Sequence, residues 1–250
     1  TDFVGESNST IKSGFFRNVF GGNHYGTFNG NSYVNILGGS YENAVVGGNF
    51  TDNFIGDAHL TFAGSASLLH TSGTQGIIGG TLGDVVGKNC TFTGNIYMTL
   101  GGVCGINHNV IGASRNKNAF TKGNVEITIE DKAYAFYSIY AGGYINGLDG
   151  STKVIVNGGD LNGSLFGGSY AGTVTGDTCI EVNGGKLCYY MVNMFSSFSS
   201  VAGTKNVFGG GEKGSMVNGS STIRLNGGSA YGDIIGGEFE GISTVKGVSK

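Results

Sequence analysis

VIVNGGDLNGSLFGGSYAGTVTGDTCIEVNGG, residues 154–185, opens and closes on one phrase, an alternating apolar strand followed by Asn-Gly-Gly. The copies beginning at Val154 and Ile180 lie 26 residues apart. Between them sit a second glycine pair, Gly167-Gly168, and the turn Thr175-Gly176. A fixed period of this length is the mark of a stacked repeat, so the same signals are sought along the whole chain.

Three signals recur in a fixed order. The first is two apolar residues before a glycine pair: Val19-Phe20, Val45-Val46, Ile77-Ile78, Val110-Ile111 (before Gly-Ala), Tyr140-Ala141, Leu165-Phe166, Val207-Phe208 and Ile234-Ile235, eight units in all. The second is an apolar residue, one further residue and Gly, ending at Gly30, Gly56, Gly94, Gly123, Gly150, Gly176 and Gly219; the copy at Phe120–Gly123 is one residue longer. Four residues after each of those glycines comes the third, an alternating strand: Val34/Ile36, Leu60/Phe62, Met98/Leu100, Ile127/Ile129, Val154/Val156, Ile180/Val182 and Ile223/Leu225.

Alternation sends Ile180 and Val182 to one face and Glu181 to the other. Gly supplies the positive φ that sharp corners need. Asn31, Asp57, Asn95, Asn124, Ser151, Asp177 and Ser220, each next to a second-signal glycine, are turn formers. Three short strands per unit therefore describe one triangular coil. The predicted fold class is all-β: a right-handed parallel β-helix solenoid of about eight coils of about 26 residues, three short strands per coil, and roughly 40 Å long. Residues 1–250 form a single domain in this reading, a module of a longer protein. Glu181 is expected over Arg224, Glu126 diagonally near Lys153, and Asn157, Asn183 and Asn226 in one amide column.

Composition agrees. Gly accounts for 50 of 250 residues and Pro for none, yet 39% of residues are hydrophobic and 12% charged, the balance of a chain that buries a core. The net charge of −3, with charges scattered singly, gives no footprint for nucleic acid, and no apolar run is long enough for membrane insertion. Cys90, Cys104, Cys179 and Cys188 form no C-x-x-C pair; they are read as separate thiols, with pairing between neighbouring coils left open.

The repeat is broken at 65–75 and 186–205, insertions that leave the same corner of the coil. Asp84–Thr91 leaves another corner, and Asn107–Thr121 is irregular. Insertions on one face of a solenoid often build its binding surface. The second insertion carries Tyr189, Tyr190, Met191, Met194, Phe195 and Phe198 among serines. Either it packs these aromatics onto the rod or it exposes a ligand site. The candidate ligand-binding residues are Tyr189, Tyr190, Phe195 and Phe198, with His70 at the same corner. The paired apolar residues of the first signal pose a related choice. A bend turns both inward, or one forms an apolar stripe through which an oligomer or partner docks.

These features resemble the pectate-lyase-like parallel β-helix superfamily, across the whole chain but in architecture alone. That resemblance implies polysaccharide cleavage or binding. Cleaving members use clustered carboxylates with calcium and a basic residue, or paired aspartates with Gly-His-Gly. Arg17, Arg115 and Arg224 have no acidic cluster one coil away, no Asp-Asp or Gly-His-Gly occurs, and His24, His59, His70 and His108 fall in turns and insertions at no ligand spacing. Asp52 with Asp57 is the best neighbouring carboxylate pair by sequence and reads as turn chemistry. The segment GGTLGDVVGK at 79–88 lacks the phosphate-loop pattern, and a threonine column at Thr61, Thr99 and Thr128 is too short for an ice-binding array. No catalytic residue, metal ligand or cofactor is assigned, and no motif supports calcium.

The phrase V-x-V-N-G-G…G-x-V-F-G-G is similar to Gly-rich repeats of bacterial surface, adhesin-like and polysaccharide-degrading-complex proteins. The expected function is an extracellular or cell-surface, non-catalytic module that binds a polysaccharide or surface partner. A polysaccharide lyase or glycoside hydrolase with a non-standard site, or a structural stalk, is the alternative.

Overall fold

A computed structural model describes residues 2–73, 75–83, 88–189 and 205–239, and the backbone of 244–245. Among the described residues the chain is all-β, with parallel strands in three stacked sheets and no helix, an arrangement compatible with a β-helix-like solenoid.

The third sequence signal builds the eight-stranded sheet, from Ser7–Ile11 through Ser32–Ile36, Ala58–Phe62, Ile96–Leu100, Val125–Ile129, Thr152–Val156 and Thr178–Val182 to Ser221–Leu225. Each strand pairs in register with its predecessor. Val154, Val156, Ile180 and Val182 are buried, as alternation requires. Glu181 lies beside Arg224 and Glu126 directly beside Lys153. Neither neighbouring pair closes to an ion pair, and Arg224 instead donates to Cys179 Sγ at 3.2 Å. Asn226 donates to Asn183 at 2.8 Å and Asn183 to Asn157 at 2.9 Å, completing the expected amide column.

The second signal builds a nine-stranded sheet whose inward column begins with stacked rings. Phe3, Phe28, Phe54 and Phe92 lie 4.9, 4.8 and 4.6 Å apart between successive centroids. In the longer copy Phe120 is not the inward residue. Phe92 pairs with Thr121, which is buried and shares a 2.7 Å hydroxyl contact with Ser114. The extra residue shifts the register by one, and the buried hydroxyl is satisfied because Ser114 faces it.

The first signal builds a 14-stranded sheet made of two rows. Ser40–Val46 is a single strand that pairs with both Ser67–Leu68 and Gly76–Ile78. In later rungs that length is split into two short strands, such as Asp160–Leu161 and Leu165–Phe166. The extra row went unread because its two-residue strands carry too little alternation to register. The alignment of Tyr140-Ala141 is also corrected. Ile139 and Tyr140 pair with Val110 and Ile111, so Ala141 takes the place of the first glycine. His59, expected in a turn, sits on Ala58–Phe62, its ring stacked between Tyr33 and Tyr97 at 4.7 and 4.9 Å.

The corner after Gly30, Gly56, Gly94 and Gly123 repeats one device. Asn31 Oδ1 accepts from the Asp57 N–H at 2.9 Å, Asp57 Oδ1 from Asn95 at 2.7 Å, Asn95 Oδ1 from Asn124 at 3.0 Å, and Asn124 Oδ1 from Ser151 at 3.0 Å. Ser151 Oγ accepts from Asp177 at 3.1 Å, and Asp177 Oδ1 from Ser220 at 2.7 Å. The preceding glycine must be Gly. Gly56 has φ +141°, and a Cβ there would fall on the Gly30 carbonyl. All four cysteines are free, and Cys90, Cys104 and Cys188 are buried.

Phe54→Ala should cost about 3–5 kcal/mol in urea unfolding. Gly56→Ala should cost about 1–3 kcal/mol through strain and close approach. Tyr33→Ala, on the outer face, should cost under about 1 kcal/mol. Equal losses at Phe54 and Tyr33 would contradict the inward and outward assignment.

Candidate functional site

The paired apolar residues of the first signal answer the question they posed with a third arrangement. Val45, Ile77, Val110, Ile139, Leu165 and Val207 enter the main core. Their neighbours Val46, Ile78 and Ile111 form a second cluster, and Tyr140, Phe166 and Phe208 a third, on the other side of the sheet. Alternation points this column outward, yet these residues are buried.

The cover is the chain's own. After the glycine corner, backbone bonds align His24, Phe50, Leu82, Arg115, Tyr144, Tyr170, Glu212 and Phe239 in one column over the stripe. Phe50 and Leu82 pack on the second cluster, and Tyr144, Tyr170 and Phe239 on the third. Tyr144 and Tyr170 stack at 4.3 Å, with Arg115 4.8 Å from the first ring and Lys213 5.2 Å from the second. Lys213 Nζ also donates to Tyr170 Oη at 2.7 Å. At Glu212 the cover changes from a ring to a carboxylate.

A second column runs along the insertion corner. His70, His108 and Tyr137 stack with centroids 5.3–6.0 Å apart, and Phe136 meets Tyr137 at 5.2 Å. One rung further the position after Asn162 is Gly163, where a Cβ would collide with the Tyr137 carbonyl group. Glycine is therefore forced, and among the described residues the row of rings is interrupted there.

Where the two columns part, a cleft of about 310 Å³ opens, lined by Tyr140 and Phe166, by Phe136, Tyr137, Ser138, Gly163 and Ser164, and by Lys205, Glu212 and Phe239. Tyr140 Oη donates to Glu212 Oε2 at 2.7 Å. Burial, and then the hydrogen bond to Glu212, push the Tyr140 phenol far above the usual tyrosine range, so it stays a donor. Lys205 Nζ donates to Asn162 Oδ1 at 3.1 Å and lies 5.7 Å from the Phe136 ring centre. Burial lowers its affinity for the proton, with the Cys188 thiol opposing.

Of the candidates named from the sequence, His70 belongs to the ring row that reaches Tyr137 on the cleft wall. Tyr189 lies one rung from Asn162, tilted against Tyr231 at 4.8 Å with the Lys186 ammonium 4.8 Å from its ring, and does not line the cleft. Tyr190, Phe195 and Phe198 lie outside the described residues. Sequence reasoning missed Phe136, Tyr137, Tyr140 and Glu212. The signal was the run AYAFYSIY at 133–140, four aromatics in eight residues, in a chain whose other strands are mostly aliphatic.

The lining contributes one carboxylate, whereas glycoside hydrolysis by acid and base needs two across the bond. Among the described residues no group of three or more His, Cys, Asp or Glu side chains is placed to hold a metal ion. Aromatic walls with a few convergent polar groups are the chemistry of recognition.

His108, in the row that leads to the cleft, has a buried Nδ1 without a partner, and its pKa is lowered to about 4 by burial, then by Arg115 and His70. The unfolded chain therefore binds the proton more tightly. This contribution to stability is full above pH 6.5 and is lost as the pH falls from there toward 4. After a discount for solvent screening the loss should be about 1–2 kcal/mol. Urea midpoints at pH 7.5 and 4.5 should converge in His108→Gln relative to the parent; an unchanged difference would contradict this assignment.

Comparison with family models, curated proteins and solved structures gave no match.

Proposed function

We propose that the chain is a non-catalytic module that binds a carbohydrate at the insertion corner, in the cleft between Tyr137 and Glu212. The finer architecture in this reading is a right-handed solenoid of about eight coils of about 26 residues. Its setting is extracellular or at a cell surface, in an adhesin-like role.

The observation that carries the reading is the interruption of two ring columns at one place. The row along the corner is interrupted at Gly163, and the cover column exchanges a ring for Glu212. Sugars offer apolar C–H faces to rings and hydroxyls to polar rims. The cleft pairs Phe136, Tyr137, Tyr140 and Phe166 with Ser138, Ser164, Lys205 and Glu212. In the sequence reading both insertions leave the coil at this corner, Lys205 being the last residue of the larger one, which supports the choice.

Affinity electrophoresis through gels cast with single soluble polysaccharides tests the reading. At least one should retard the parent chain, and Tyr137→Ala should weaken that retardation about tenfold or more. New reducing ends or unsaturated products would replace binding with catalysis, and mobility unchanged in every gel would leave a structural stalk.

A further inference from the structure

Resting on the carbohydrate reading of the cleft, we infer that its preferred ligand is a cationic amino sugar, a glycan whose ring carries a protonated primary amine. The inference comes from the charge and the π faces that meet in one small volume.

Glu212 is the one carboxylate of the lining. Its hydrogen bond from Tyr140 engages Oε2, which leaves Oε1 for a second donor. Tyr140 cannot neutralise it by giving up a proton, because burial holds the phenol protonated. Phe136, Tyr137, Tyr140, Phe166 and Phe239 line the same cleft as this carboxylate. An ammonium near several ring faces and a carboxylate is held by both the ring quadrupoles and the charge.

The chain's own cations lie near ring faces at the cleft and along the neighbouring cover column. The Lys205 ammonium lies 5.7 Å from the Phe136 ring centre at the cleft, Lys213 lies 5.2 Å from Tyr170, and Arg115 lies 4.8 Å from Tyr144. Lys205 is then an internal competitor. It is tethered to Asn162 from the corner side, and a ligand amine would share the Phe136–Glu212 space with it. An acidic sugar would reverse both roles, with Lys205 attracting and Glu212 repelling, so single substitutions separate the two signs of ligand.

The experiment is isothermal titration at pH 6 of the full chain with a glucosamine hexamer, its fully N-acetylated counterpart and a neutral glucose hexamer. The inference requires the glucosamine hexamer to bind about tenfold or more tightly than the N-acetylated one, which keeps the ring and loses the charge. Glu212→Gln should weaken glucosamine binding about tenfold, while Lys205→Met should tighten it a few fold, a gain that misfolding does not produce. Equal or better binding of either uncharged hexamer, or weakening by Lys205→Met, would overturn the cationic preference and leave the carbohydrate reading standing. No binding of any of the three would overturn the amino-sugar inference. The carbohydrate reading falls separately, if no polysaccharide retards the chain.

Discussion

Every rung of this chain must hand its backbone donors to the rung beside it, and the corners are where that becomes difficult. A parallel ladder supplies partners along strands, but at a corner the peptide turns out of line and its N–H loses its carbonyl. The solution is one side-chain oxygen per rung, from Asn31 through Asp57, Asn95, Asn124, Ser151 and Asp177, each accepting from the next rung's amide. Such an acceptor must be short, which explains why the position alternates among Asn, Asp and Ser. The glycine before it lets the two corners approach so closely. A larger residue at Gly56 would meet the Gly30 carbonyl, and the error would be transmitted to both neighbours.

Stacking converts any residue choice into a column, and the columns decide what each face can do. Inside, Phe28, Phe54 and Phe92 become a continuous stack of rings, which the exposed Phe3 extends at the end. Outside, the same rule is hazardous. A row of Val46, Ile78, Ile111, Tyr140, Phe166 and Phe208 left bare would form an apolar stripe along the rod. The cover column removes that hazard by adding one residue per rung beyond the glycine corner, most of them rings, with the Arg115 guanidinium lying over the Tyr144 ring. Glu212 is the one carboxylate of the column, and a carboxylate so close to Phe166 and Tyr140 requires a donor, which Tyr140 supplies.

The stacking of the rungs was legible in the sequence because it rests on short-range patterns. Val154/Val156 and Ile180/Val182 alternate, the glycines recur, and the register follows. The errors came where a pattern was too short or too permissive. Two-residue strands such as Asp160–Leu161 have no period to detect. At Tyr140-Ala141 an alanine stands in a glycine place, and at Phe120-Thr121 a buried threonine stands in a phenylalanine place. In each case the local rule of largest residue inward was overridden by a partner elsewhere, the Ser114 hydroxyl for Thr121 and the cover column for Tyr140.

The candidate cleft was half legible for a deeper reason. Locating the corner needed only the insertions, and His70 was placed there from sequence. Which rings form the cleft depends on what is missing from a column, and an absence has no local signature. Gly163 reads in the sequence as one more turn glycine among 50. Only stacking shows that it follows His70, His108 and Tyr137 and interrupts their row. In a solenoid, regular residues make the rod and single exceptions make its sites. The aromatic run at 133–140 gains its meaning from the glycine that follows it one rung later.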